Sequence, residues 1–208
     1  MGGRSAIREA RAGMKLVREK RGFRLFLTSR ALLASVPLAT PFHALLAYEI
    51  TSGAIGGLAV FVIATGLSQV VSSPVWGRFS DKSSRKVMIV AGMLGGATGA
   101  LALLIAAAPE GWRSVWVVST IFVLGAFAHA GCRLGRKTYL VDGAPKDERP
   151  LYVAIANTLM GVVILAGGAL GVMAEVIGLP TLIGTLAVVS VLGAAAAWLA
   201  PEAEEMSA

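Results

Sequence analysis

Long apolar runs alternate with short charged connections along most of this chain of 208 residues. Six runs stand out, over about 23–48, 53–76, 87–107, 115–133, 151–174 and 180–199. Each approaches or exceeds the roughly 20 apolar residues that a helix needs to cross the hydrocarbon core of a bilayer. Apolar positions cover most faces of these runs, so the helical period decides little, and length with absence of charge decides more. A stretch such as GAIGGLAVFVIATGL does not alternate as a barrel strand would. A backbone in lipid must also satisfy its own hydrogen bonds, which favours helices. The pattern predicts an all-α integral membrane protein with six transmembrane helices over 23–200, a basic leader over 1–22 and an acidic tail over 201–208. The leader is too long for a signal peptide and five more runs follow the first, so the first run is retained as a span.

Composition agrees: 56% of residues are hydrophobic and 15% are charged, against about a quarter charged in soluble domains. The formal net charge of +7 raises the question of nucleic acid, and the placement of the cations answers it. Eight lysines and arginines lie between Arg4 and Arg24, four in the second connection and five around the fourth. The first and fifth connections carry none, and the third carries Arg113. Cations on one side mark that side as cytoplasmic, so both termini are expected there, the basicity follows from topology, and no nucleic-acid partner is expected. Residues 4–21 place Ile7, Ala10, Met14 and Val17 beside a stripe of Arg4, Arg8, Arg11, Lys15 and Arg18. This reads either as an amphipathic helix on the inner membrane surface or as a juxtamembrane linker.

Polar groups within spans are costly in lipid and mark candidate pathways. The first run holds Arg30 and His43 with Pro37 and Pro41 between them, and the second holds Thr65, Ser68, Gln69, Ser72 and Ser73. The fourth holds His129 and Arg133, and the fifth Asn157 and Thr158. The third and sixth carry no ionisable or amide side chain. Four helices are thus expected to line a water-accessible path while two face lipid. Arg30, His43, Gln69, His129 and Asn157 are the candidate pathway residues. Each also has a plain reading: Arg30 snorkels to the interface, His43 is wet at the outer end, and His129, Gln69 and Asn157 bond neighbouring helices. Arg133 closes its span as a topogenic charge. The two prolines suggest a kinked or broken first helix. Glycines recur at four-residue spacing, as in Gly92 with Gly96 and Gly131 with Gly135, which suits close helix packing. No GxSxG, HExxH or P-loop occurs, the single Cys132 offers no metal framework, and no acidic residue lies well inside a span. No enzyme activity and no cofactor are expected.

Between the second and third runs lies GRFSDKSSRK. It resembles the signature loop of the major facilitator superfamily, of form GxxxD(R/K)xGR(R/K), with Gly77, Asp81, Lys82, Arg85 and Lys86 in place and Ser84 where glycine is usual. RKTYLVDGAPKDERPLYVAIANTLMG is similar to the cytoplasmic connection and fifth-helix start of bacterial permeases of that superfamily, through Arg136, Tyr139, Asp142, Pro145, Arg149 and Asn157. REKRGFRLFLTSRALL looks like the approach to a seventh helix. The resemblance covers about 15–200 and is greatest to a C-terminal six-helix half. It implies a multi-pass protein of the bacterial inner membrane that moves a small solute by alternating access. The partner would be a second six-helix half, as part of a longer chain, a separate chain or a homodimer. The first, second, fourth and fifth helices would face the cavity. The loop would be a latch in which Asp81 pairs with a basic group such as Arg78 or Arg85. The glycine-proline motif of antiporters is not reproduced. The other reading is a non-transport membrane scaffold, or a fragment of a longer permease.

Overall fold

The computed structural model describes residues 13–51 and 55–206. The first half of the expected amphipathic leader, with Ile7 and Ala10, lies outside the described residues. Over residues 13–19 the chain is helical (α1), with Leu16 and Val17 against the core and Met14 exposed. This helix therefore rests on the protein through Leu16 and Val17, a face shifted from the Met14–Val17 stripe.

Eight further helices follow: α2 (Arg21–Leu32), α3 (Ser35–Ile50), α4 (Ile55–Ser80), α5 (Ser84–Ala107), α6 (Val115–Gly143), α7 (Arg149–Gly167), α8 (Leu170–Ile177) and α9 (Leu179–Leu199). They group into six membrane-length apolar spans, in which α2–α3 form the first and α7–α8 the fifth. The first span is broken at Leu33–Ala34. Pro37 has no N–H for the Leu33 carbonyl and its ring crowds that carbonyl, so the break sits four residues before the proline. Pro41 is accommodated inside α3. The fifth span is interrupted at Gly168–Ala169, next to the glycine pair Gly167–Gly168, where the helix is easily bent. Gly178, with φ of 85°, makes the one-residue turn into α9, a conformation that glycine adopts without a Cβ penalty.

The fourth span corrects the expected boundary at Arg133. Helix α6 continues to Gly143, so Arg136, Tyr139 and Asp142 belong to its last turns and only Ala144–Glu148 form the connection. Exposed Trp112 and Trp116 at one end of the bundle, and Trp198 at the other, match the aromatic girdles at bilayer interfaces.

Helices α5, α6 and α9 form the packing centre. The third and sixth spans are thus well buried, whereas only 6% of the fifth span's most apolar window and 22% of the second's is buried. The third and sixth spans pack on one face and keep an exposed apolar face, with Leu104 and Val188, for lipid, while the least covered helices are polar-bearing ones. Close approach comes from glycine. A Cβ at Gly92 would meet Leu33 and Ala194, and one at Gly99 would meet Ala187. A Cβ at Gly131 would lie 2.7 Å from the Trp76 ring and 2.8 Å from Ala91. Hydroxyls and one indole stitch the same contacts. Ser190 Oγ donates to the Gly92 carbonyl at 2.7 Å, Ser29 Oγ to Gly193 at 2.9 Å, Ser68 Oγ to Val123 at 2.7 Å and Trp76 Nε1 to Phe127 at 2.9 Å. Ser68, and not Gln69, bonds the neighbouring helix.

Both described ends meet at one end of the bundle. The tail from Pro201 to Met206 lies across Gly22 and Gly143, with Met206 fully buried. Tyr139 Oη donates to the Pro201 carbonyl at 2.8 Å, and its ring stacks on Phe26. In the loop of the signature motif, Ser83 caps α5 by accepting from the Lys86 N–H. It also donates to Glu202 at 2.9 Å, while Arg85 Nη2 lies 2.7 Å from the other Glu202 oxygen. The partner of Arg85 is therefore the tail, not Asp81. Asp81 is exposed and in no ion pair among the described residues. Ser84 is the first residue of α5, a helical position that makes no demand for glycine, so that departure from the motif carries no backbone strain.

Two outcomes follow for thermal unfolding of the purified chain. Gly131→Ala forces a methyl against a ring held by its own hydrogen bond and loses about 1–3 kcal/mol, whereas Gly171→Ala, with nothing within 4 Å, leaves the midpoint unchanged or raises it. Glu202→Ala loses about 0.5–1 kcal/mol, since the pair is partly exposed, and makes the tail protease-sensitive. Arg85→Ala matches it, and the double variant adds little beyond either single change.

Candidate solute-binding cavity

A cavity of about 760 Å³ opens on one side of the bundle. Its wall is made by the first, second, fourth and fifth spans, through Arg30 of α2, Gln69, Ser73 and Trp76 of α4, a stripe of α6, and Val153 and Asn157 of α7. The third and sixth spans contribute no lining residue. This is the division expected from where the polar side chains fall in the sequence.

Helix α6 supplies the stripe because residues three and four apart share a helix face. Ala130, Arg133, Leu134, Lys137, Leu140 and Val141 follow that spacing, and Arg136 joins their edge. Arg30 lies nine residues into the first span, about 13 Å along the helix. Its Nη2 donates to Asn157 Oδ1 at 2.9 Å, tying α2 to α7 across the cavity wall. Its Nε is buried and has no hydrogen-bond partner. Arg136, from α6, lines the same cavity. Trp76, buried and held by Phe127, supplies an apolar flank together with Leu134 and Val153.

Three of the five expected pathway residues, Arg30, Gln69 and Asn157, therefore meet in one place. His43 does not. It is 7% exposed, not wet at an outer end, and lines a separate cavity of about 10 Å³ with Thr98 and Ser190. Its Nε2 has no hydrogen-bond partner, and the space is about that of one water. His129 is half-buried on α6, one turn before Arg133, and does not line the large cavity. The second motif is dispersed. Arg136 lines the cavity, Tyr139 is in the core beneath the tail, Asp142 lies exposed near Ser83 and Glu202, and Arg149 begins α7. Within the signature loop, Arg85 and Lys86 lie in the first turn of α5, Gly77 faces open space, and Asp81 and Lys82 lie exposed between a shallow depression with Arg78 and a second one shared with Asp142 and the tail.

Arg133 and Lys137 were read as topogenic, and Trp76 as an ordinary end of span. The signal that identifies them is the i, i+3, i+4, i+7 spacing from Ala130 to Lys137, which becomes visible only if α6 is carried through its basic residues. Arg133 is ten residues short of the end of α6, about 15 Å of helix, and so is not its closing charge.

Neither a curated protein nor a solved structure matches the chain. The family model of the Major Facilitator Superfamily matches residues 22–208. That range takes in the six spans, the signature loop and the docked tail. It is a family of transporters, consistent with a sequence that holds no enzyme motif. On this match the chain belongs to the Major Facilitator Superfamily.

Proposed function

We propose that the chain carries a small solute across a membrane by alternating access, as one six-helix half working against a second six-helix half. Membership of the superfamily implies secondary transport. The observation that carries the finer reading is the cavity of about 760 Å³ walled by the four polar-bearing spans and open on one side. A solute site between two halves that rock about it needs a lined, open wall of this kind on each half. The helices that contribute least to the packing centre, α4 and α7–α8, flank that opening and leave Val62, Leu67, Ile164 and Leu165 uncovered.

The end of the bundle that gathers the tail, the signature loop and the basic residues is the cytoplasmic one by the positive-inside rule, which suits a bacterial inner membrane. The cavity lies toward that end. Asp81 serves as the outward half of the latch: it is exposed, with no ion-pair partner among the described residues, and Gly77 beside it faces open space where a second half would meet it. Arg85 and Glu202 fix the inward half.

Solvent access tests the reading. Gln69→Cys in a Cys132→Ala background is treated with a membrane-impermeant maleimide in right-side-out and in inverted vesicles. Labelling from both faces, with Asp81→Asn shifting the ratio between them, is the expected result. Labelling from one face alone would leave a scaffold with a wet pocket.

A further inference from the structure

We infer that the solute is a small organic anion bearing a carboxylate or phosphate group, held by Arg30 and Arg136 with Arg133 and Lys137 at the mouth; this rests on the cavity being the transport site. Four cations and no aspartate or glutamate line the cavity among the described residues. Among the described residues, the ion pairs are Lys15 with Glu19 and Arg85 with Glu202, so none of the four is neutralised by a carboxylate.

Topology alone does not explain this arrangement. A topogenic cation needs only to reach the water beyond the membrane, and a long side chain on an outward face does so. Arg30 and Arg136 instead come from different helices, are half-buried, and line the wall of one cavity. Two like charges brought together out of bulk water are unfavourable unless an anion joins them. Three of the four are arginine, whose planar fork matches carboxylate and phosphate oxygens.

Donor geometry points the same way. Arg30 uses Nη2 on Asn157, which fixes its orientation and leaves Nη1 with no partner among the described residues. A positioned guanidinium with an unused N–H is what an anionic oxygen requires. Trp76 and Val153 offer a surface for an apolar or ring-shaped body beside the charged group. The volume suits a small metabolite.

The test is binding to the full chain, with any associated half, in phosphatidylcholine nanodiscs at constant ionic strength. The readouts are the thermal midpoint and tryptophan fluorescence, since Trp76 lines the cavity. The probes are succinate, citrate, glucose 6-phosphate and inorganic phosphate, with glucose and choline as neutral and cationic counterparts. At least one organic anion is expected to bind saturably where glucose and choline do not, and the preferred probe separates carboxylate from phosphate recognition. Arg30→Gln and Arg136→Gln weaken it by about tenfold or more. Lys137→Gln, at an exposed position that leaves the fold intact, weakens it less but measurably, while Arg78→Gln outside the cavity has no effect. Equal binding of glucose or choline, or unchanged anion binding in all three cavity variants, would overturn the inference. So would occupancy by phosphatidylglycerol added to the nanodiscs with no competition from any free anion, which would make the site a lipid headgroup pocket. Two-sided labelling at Gln69→Cys without anion binding leaves a transporter of another solute; anion binding with one-sided labelling removes the transport reading itself.

Discussion

Unpaired charge gathered in one cavity of a bundle of membrane helices is the constraint from which the rest follows. Arg30, Arg133, Arg136 and Lys137 sit within helices long and apolar enough to span a bilayer, and no carboxylate among the described residues of their cavity neutralises them. Such groups cannot face hydrocarbon, so the face they share has to be wet or filled. The opposite side of the bundle must then supply the packing alone. It does so with glycines on α5 and α6, small residues on α9 and serine hydroxyls that bond across helices. The division into a dense side and an open side is the physical basis for a body that moves as a unit about a solute.

The signature loop fits the same division. Arg85 and Asp81 do different things, although they are four residues apart, while Arg78 and Lys82 share the surface of Asp81. Arg85 is turned inward, where Glu202 and the Ala200 carbonyl hold it and fasten the tail over α2 and α6. Asp81 is turned outward and pairs with nothing in this bundle among the described residues. The inward contacts stiffen one half. The outward acid is left for whatever lies alongside.

Much of this was legible in the sequence, because membrane spans are written in length and absence of charge. The six runs, the four polar-bearing helices and the candidacy of Arg30, Gln69 and Asn157 needed no tertiary information, whereas which of the five candidates share one cavity did. What was missed has physical causes. The end of α6 was placed at Arg133 because basic residues look like a loop, yet a helix beside a wet cavity carries cations on one stripe without ending. That the third and sixth spans also form the packing centre was not foreseen, because absence of polar groups suits lipid contact on one face and a tight core on the other equally. His43 was misplaced because depth in a span says nothing about which face a residue occupies. The Ser83–Glu202 contact joins residues 119 apart, and no local pattern announces it. The break at Leu33–Ala34 lay within reach, since Pro37 names the carbonyl it disables.

The account stands or falls on what covers the open face. Val62 lies seven residues before Gln69, and Ile164 seven after Asn157, so each continues a cavity-lining stripe beyond the cavity; both are exposed. Leu104 and Val188 are exposed on the packing helices α5 and α9. Cysteines at these four positions, carrying benzophenone maleimide and irradiated in native membranes, report their neighbours by peptide mass mapping. The account predicts that Val62→Cys and Ile164→Cys cross-link to peptides of a second six-helix half, while Leu104→Cys and Val188→Cys capture lipid. Capture of lipid at all four positions would contradict it.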